Sequence, residues 1–164
     1  MNNLVIKEVE TGRELKAFIN FPWQVYQNDS NWVPPLRLEM KERLNRKKNP
    51  FFEHAEIALF LARRGQQGVG RIAAIIDFNH NEYHQEKVVF FGLYESLNAE
   101  QVARLLIETV IDWGEKRGME SLRGPVNLSM NDECAFLLEG FDRPPAIMMP
   151  YNPPYYIELM EKCG

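Results

Sequence analysis

The sequence predicts an α+β fold: a mixed sheet built from an antiparallel meander plus one parallel crossover, with helices on both faces. Three observations carry this. Residues 55–94 hold three apolar, strand-like runs with short connections, which make neighbouring strands antiparallel. Residues 86–126 then read strand, long amphipathic helix, strand, the pattern of a right-handed parallel crossover. At 164 residues, with 45% hydrophobic and 26% charged side chains, the chain suits one domain, residues 1–164, with its own core.

Taken in order, residues 4–9 form a first strand. Thr11 and Glu14 have the Thr-x-x-Glu spacing of a capping box, and Leu15, Phe18 and Ile19 give the helix behind it an apolar stripe until Pro22 interrupts it. Residues 28–35 are rich in Asn, Asp, Ser and Pro and form a loop. Leu36, Met40 and Leu44 recur every four residues and predict a helix over 36–48, whose other face is strongly basic and reads as a solvated surface or a patch for an acidic partner. Strands are expected at 55–64, 69–78 and 86–94. Gly65-Gln66-Gln67-Gly68 turns between the first two, and the segment holding His80 and His84 is a polar inter-strand loop. Asn98 with Gln101 predicts a capped start for the long helix, and Gly118 closes it. A strand over 121–126 is ended by Gly124-Pro125. A short helix is expected at 132–139, a short strand at 146–149, and a last helix over 155–163 behind Pro153-Pro154.

Composition excludes several classes. With 19 basic and 23 acidic residues the net charge is −4, which disfavours a general nucleic-acid binder. Cys134 and Cys163 are too few for a disulfide scaffold and suit a reduced compartment, so the expected location is cytoplasmic. No run reaches membrane-span length, and no membrane partner is expected. His80 and His84 lack the Glu that a zinc-protease helix carries after its first His, and no metal site is expected. Ser129 has no nucleophile-elbow surroundings.

Three segments have chemical interest. The junction Tyr94-Glu95-Ser96-Leu97-Asn98-Ala99-Glu100-Gln101 leads a strand into a helix, whose first amides can face an anion, although Glu95 and Glu100 repel phosphate. Residues 127–134 pack Asn127, Ser129 and Asp132 after a strand end, where they can line a ligand or cap a helix. Residues 148–156 combine Met, Pro and Tyr, a composition suited to a pocket wall.

The strings Val69-Gly70-Arg71-Ile72-Ala73-Ala74, the strand and long helix over 86–117, and Tyr155-Tyr156-Ile157-Glu158-Leu159-Met160-Glu161-Lys162-Cys163-Gly164 resemble the GNAT (N-acetyltransferase-like) acyltransferase superfamily. Phe21-Pro22-Trp23, Trp32-Val33-Pro34-Pro35, Lys48-Asn49-Pro50-Phe51-Phe52, Arg123-Gly124-Pro125 and residues 148–156 resemble, more closely, an uncharacterised bacterial GNAT-like family whose members are usually longer. The resemblance implies a cleft between two splayed parallel strands that takes acetyl-CoA or another acyl-CoA, with an amine as acceptor. Tyr94, Ser96, Asn98, Ala99 and Gln101 stand at the position of the cofactor-binding loop. Glu95 is placed as general base and Tyr156 as a stand-in for the late-helix acid, whose own position is Met160. Asn127, Ser129, Tyr151 and Asn152 would face the acceptor.

Two departures stand out. The superfamily's glycine-containing pyrophosphate loop is missing from residues 94–101, which opens the alternative of a catalytically degenerate module. Two final strands would follow Gly164 in the superfamily. The chain is therefore expected to be an N-terminal portion, with an exposed sheet edge at residues 121–126 that is covered by homodimerisation or by re-pairing residues 146–149.

Overall fold

The computed structural model describes residues 3–164. Five strands run side by side in the order β1-β2-β3-β4-β5: β1 (Leu4–Glu8), β2 (Ala55–Arg64), β3 (Gln67–Asp77), β4 (Val88–Ser96) and β5 (Ser121–Arg123). The first three pairings are antiparallel and β4–β5 is parallel, so the mixed-sheet reading holds. One face carries α1 (Gly12–Asn20), α2 (Pro22–Val25) and α3 (Arg37–Arg43). The short α4 (Phe78–His84) joins β3 to β4, and the other face carries α5 (Glu100–Glu115) and α6 (Tyr155–Glu161).

Side-chain alternation splits the core in two, because successive strand residues point to opposite faces. Ile72, Ala74 and Ile76 meet Val102, Leu106 and Val110 of α5. Ala73 and Ile75 share the other layer with Phe18 and Ile19 of α1 and Met40 of α3. Thr11 closes the expected capping box, accepting from the Glu14 amide at 3.2 Å while the Glu14 carboxylate accepts from the Thr11 amide at 3.0 Å. Gly118, in the left-handed region at φ +80, turns the chain from α5 towards β5.

Five local expectations are corrected. The helix expected over 36–48 covers only Arg37–Arg43, because Asn side chains take over the backbone groups beyond it. Asn49 Nδ2 donates to the Arg43 carbonyl at 2.7 Å, and Asn45 Oδ1 accepts from the Lys47 amide at 3.0 Å. The segment with His80 and His84 is helix α4, capped by the Asp77 carboxylate on the His80 amide and ended by Gln85 in the left-handed region. Asn98 does not cap α5; Ala99 holds that position and no side chain bonds the first turn. No helix forms over 132–139. Asp132 is committed to Ser129 and Arg43, Cys134 bridges back to Val126, and the Leu137 amide donates to Asn152 Oδ1 at 2.7 Å. Residues 146–149 are a turn, not a strand, so they do not re-pair with the β5 edge.

The feature that shapes the site is a bulge in β4. Arg71 pairs with Glu95, but Ala73 pairs with Gly92, so β4 carries one extra residue. Leu93, at φ +48, absorbs it. Before the bulge, Val89 and Phe91 face α5; after it Leu93 faces α1 and Tyr94 faces α5. The extra residue therefore reverses the phase, placing Glu95 beside Arg71.

Gly92 lets the chain after β5 cross close to β4. A Cβ there would collide with the Val126 carbonyl oxygen and come within 2.8 Å of its carbon. Gly92→Ala is expected to cost about 1–3 kcal/mol, read as a lower urea midpoint. An unchanged midpoint would show that the crossing gives way freely.

Candidate active site

A cleft of about 490 Å³ opens where β4 passes beyond the short β5. Its floor is Arg71, Leu93, Tyr94 and Glu95. One wall comes from α1, α3 and the loop holding Trp32; the other comes from residues 145–152 and Tyr156.

Glu95 is the central group, with a side chain only 13% exposed. It accepts a 2.6 Å hydrogen bond from the Tyr156 hydroxyl on Oε2 and faces Arg71 Nη2 at 3.9 Å from Oε1. Burial raises its pKa above the ordinary carboxylate value, while Arg71 and the Tyr156 hydrogen bond pull the other way. Arg71 lies in the α1-facing layer. Its Nη1 donates to the Phe18 carbonyl at 2.9 Å, its guanidinium stands over the Phe18 ring at 4.9 Å, and its buried Nε has no partner.

Beyond Arg123 the edge of β4 is completed by side chains and by the returning chain rather than by a strand. The Val126 amide donates to the Phe91 carbonyl and Asn127 Oδ1 accepts from the bulged Leu93 amide, both at 2.8 Å. The Ser96 amide donates to the Tyr156 hydroxyl at 2.8 Å, and the Ser96 carbonyl accepts from the Tyr155 hydroxyl at 2.8 Å. The Tyr94 hydroxyl and Ser96 Oγ share a 2.6 Å hydrogen bond. Burial, followed by Glu95, pushes the Tyr155 hydroxyl up to about 12 and the Tyr156 hydroxyl well above its ordinary value, so both stay protonated.

The cleft brings together Glu95, Tyr156, Tyr94, Asn127, Tyr151 and Asn152. Asn152 is buried and holds Leu137, while the Tyr151 hydroxyl donates to Asp29 at 2.7 Å. Ser129 lies outside the cleft lining, with its hydroxyl on Asp132 at 2.8 Å. Ser96 is fully buried among the tyrosines. Asn98, Ala99 and Gln101 sit at the open start of α5, away from the cleft. Three cations stand around that helix start. Arg104 is 3.2 Å and Lys162 3.7 Å from the Glu100 carboxylate, and Arg64 donates to Gln101 Oε1 at 3.2 Å. Glu100 is thus flanked by positive charge.

Arg71 and Tyr26 escaped the sequence reading of the site. Tyr26 stacks on Trp32 with centroids 4.8 Å apart, and its hydroxyl donates to the Tyr151 carbonyl at 3.4 Å. The signal for Arg71 was available: a lone cation inside the apolar run of residues 69–76. His54 pairs with Asp77 and His80 with Glu86. Among the described residues no group of three or more His, Cys, Asp or Glu could hold a metal ion.

The meander, the bulged fourth strand and the crossover helix make a GNAT-like fold. The aminoglycoside acetyltransferase meta-AAC0020 from an uncultured soil metagenomic sample, solved with sisomicin, superimposes with a TM-score of 0.54 at 13% identity, over 76% of this chain and 78% of that one. Its complex with trehalose gives 0.53 at 12% identity and the same coverage. No family model matches the sequence. The chain is 39% identical to the bacterial ceramide synthase of Caulobacter vibrioides over 163 residues, 99% of this chain and 42% of that protein. It is 38% identical to protein YghO of Escherichia coli over 151 residues, 92% of this chain and 38% of that protein. The chain thus spans about two fifths of the length of these relatives. No helix among the described residues is long and apolar enough to cross a membrane.

Proposed function

We propose that this chain carries the reaction centre of an acyl-CoA-dependent N-acyltransferase, with Glu95 as base. The observation that carries the reading is the buried Arg71–Glu95–Tyr156 cluster on the cleft floor, turned inward by a bulge whose Leu93 stands at positive φ. Strain kept at such a place suits a functional site. The name of the Caulobacter relative, a ceramide synthase, supports an amine acceptor and a long acyl donor.

In this reading the acceptor amine attacks the thioester carbonyl. Glu95 takes the amine proton as the N–C bond forms and the C–S bond breaks. Tyr156 gives its proton to the departing sulfur and regains one from Glu95 across their 2.6 Å hydrogen bond. The donor's phosphates would lie at the open start of α5, where Asn98, Ala99 and Gln101 offer backbone and polar groups and Arg64, Arg104 and Lys162 offer charge. Ser96 and Tyr94 would shape the floor instead of binding the donor, because their polar groups are mutually satisfied. Asn127, Tyr151 and Asn152 would frame the acceptor, with Ser129 supporting the loop that holds Asn127.

A second reading, a degenerate module that binds without turnover, is favoured by one observation. The Ser96 backbone groups at the strand end are occupied by Tyr155 and Tyr156. The test is calorimetry of the full-length protein with acetyl-CoA and with longer acyl-CoAs, paired with thiol release in the presence of long-chain amines. Heat and thiol release are expected. Heat without thiol release supports the degenerate module, and neither signal at millimolar donor overturns both. Tyr156→Phe is expected to lower kcat about 10–100-fold with donor affinity retained.

A further inference from the structure

The mouth of the cleft is lined by apolar side chains that the described chain leaves uncovered. Ile147 is 94% exposed, and Met148 and Met149 are each 56% exposed on one lip; Val33 is 60% exposed on the other. Leu36 and Leu38 follow Val33 in the chain at the start of α3, outside the cleft lining, and are exposed at 73% and 70%. A single exposed hydrophobe needs no explanation, but two apolar lips on one opening do.

Along the chain the second lip is followed by a concentration of positive charge. Residues 36–48 hold six basic and two acidic side chains, although the chain as a whole carries −4. Arg43, on the cleft wall, is neutralised by Asp132 and Glu133, whereas Lys41, Lys47 and Lys48 are exposed. The pattern discriminates between occupants. The buried centre of a protein–protein contact is depleted in Lys. An anionic bilayer surface favours apolar side chains inserted at the headgroup boundary with Lys and Arg around them.

We propose that this face docks on an anionic lipid bilayer, with residues 147–149 and Leu36 and Leu38 entering the headgroup boundary and Lys41, Lys47 and Lys48 meeting lipid phosphates. The cleft then opens onto the membrane surface, where an apolar acceptor or acyl chain reaches Glu95 without crossing water. The proposal departs from the sequence-based expectation of no membrane partner, which rests on the absence of a membrane-length apolar run. The docking does not depend on acyl transfer, because it is read with no substrate present.

The experiment is co-flotation of the full-length protein with vesicles of phosphatidylglycerol mixed into phosphatidylcholine, and with phosphatidylcholine vesicles alone. Binding to the anionic vesicles that weakens with added salt is expected. The triple variant Lys41→Glu, Lys47→Glu, Lys48→Glu and the triple variant Ile147→Ser, Met148→Ser, Met149→Ser should each lower partitioning about tenfold or more. Ile147, Met148 and Met149 line the cleft wall whereas Lys41, Lys47 and Lys48 do not, so the readout is vesicle binding and not turnover, and circular dichroism melts check that both variants fold. Hydroxyl-radical footprinting supplies an independent readout: Met148 and Met149 should oxidise freely in the vesicle-free protein and become protected on anionic vesicles. Absence of binding, or binding unaffected by either variant, overturns the proposal. Methionines already protected without vesicles also overturn it, because a second copy or another part of the chain then covers the lips. If vesicle binding holds and thiol release fails, the surface stands and the catalytic reading falls.

Discussion

Glu95→Gln is expected to lower kcat for acyl transfer about 10²–10⁴-fold, with donor affinity retained and with a lower urea midpoint, because the buried Arg71 guanidinium loses its anion. The substitution keeps the shape of the side chain. The amide oxygen can still accept from the Tyr156 hydroxyl, so the strand-end network around Ser96 has no reason to collapse. It loses the ability to hold a proton. The wild-type pH–rate profile carries the same signature. The unprotonated form is the active one, and burial raises the Glu95 pKa, so activity should rise with pH along a limb displaced above the ordinary carboxylate range. The check is steady-state kinetics of both proteins across pH with calorimetric donor binding beside it. In Glu95→Gln that limb should vanish. A variant that turns over at the wild-type rate removes Glu95 from the chemistry, and with it the reading of the bulge as a device for aiming a base.

The bulge also shows where sequence reasoning ends. The meander, the capping box at Thr11 and Glu14, and the crossover helix are local or periodic features, and they were legible because each is set by neighbouring residues. Glu95, Tyr156, Tyr94, Asn127, Tyr151 and Asn152 could be nominated from resemblance and residue type. What brings them to one cleft is less visible. Counting by twos from Phe91, Glu95 should face α5; it faces Arg71 only because Leu93 occupies a backbone region that no Gly or Asn marks in advance. Ser129 was nominated for the same polar density that the fold spends on a turn with Asp132. The helix expected at 132–139 fails for a related reason. Its polar groups find partners far away in sequence, as when Arg43 reaches Asp132 and Asn152 reaches Leu137, and no local propensity scale contains those partners. Arg71 was hidden by an opposite habit, since a cation inside an apolar string reads as an irregularity until the carboxylate opposite it is seen.

Arg71→Met is expected to destabilise the protein by about 3–5 kcal/mol near neutral pH, because removing one partner leaves a buried carboxylate without its cation. The carboxylate sits on the α1-facing side of β4 with only 13% of its side chain exposed, so solvent in the cleft replaces little of what the guanidinium supplied. Arg71 is among the influences that hold the Glu95 pKa down against burial, so in the variant that pKa moves further up. The sign follows. A group whose folded pKa lies above its unfolded value contributes stability that is fully present below the unfolded pKa and is lost as pH rises through the folded one. In the variant the loss extends to higher pH. At acid pH Glu95 is neutral in both proteins and the wild type keeps a buried guanidinium without an anion, so the gap between the two should narrow. Urea midpoints measured from acid to neutral pH check this, and Arg71→Lys should recover part of the difference, because it restores the charge without the hydrogen bond geometry that reaches the Phe18 carbonyl. The kinetic counterpart separates positioning from mere support. If Arg71 tunes the base, the activity limb of folded Arg71→Met shifts to higher pH. If it only fills space, the midpoint falls but the limb stays, because a group that packs without bearing on Glu95 has no means of moving its proton affinity.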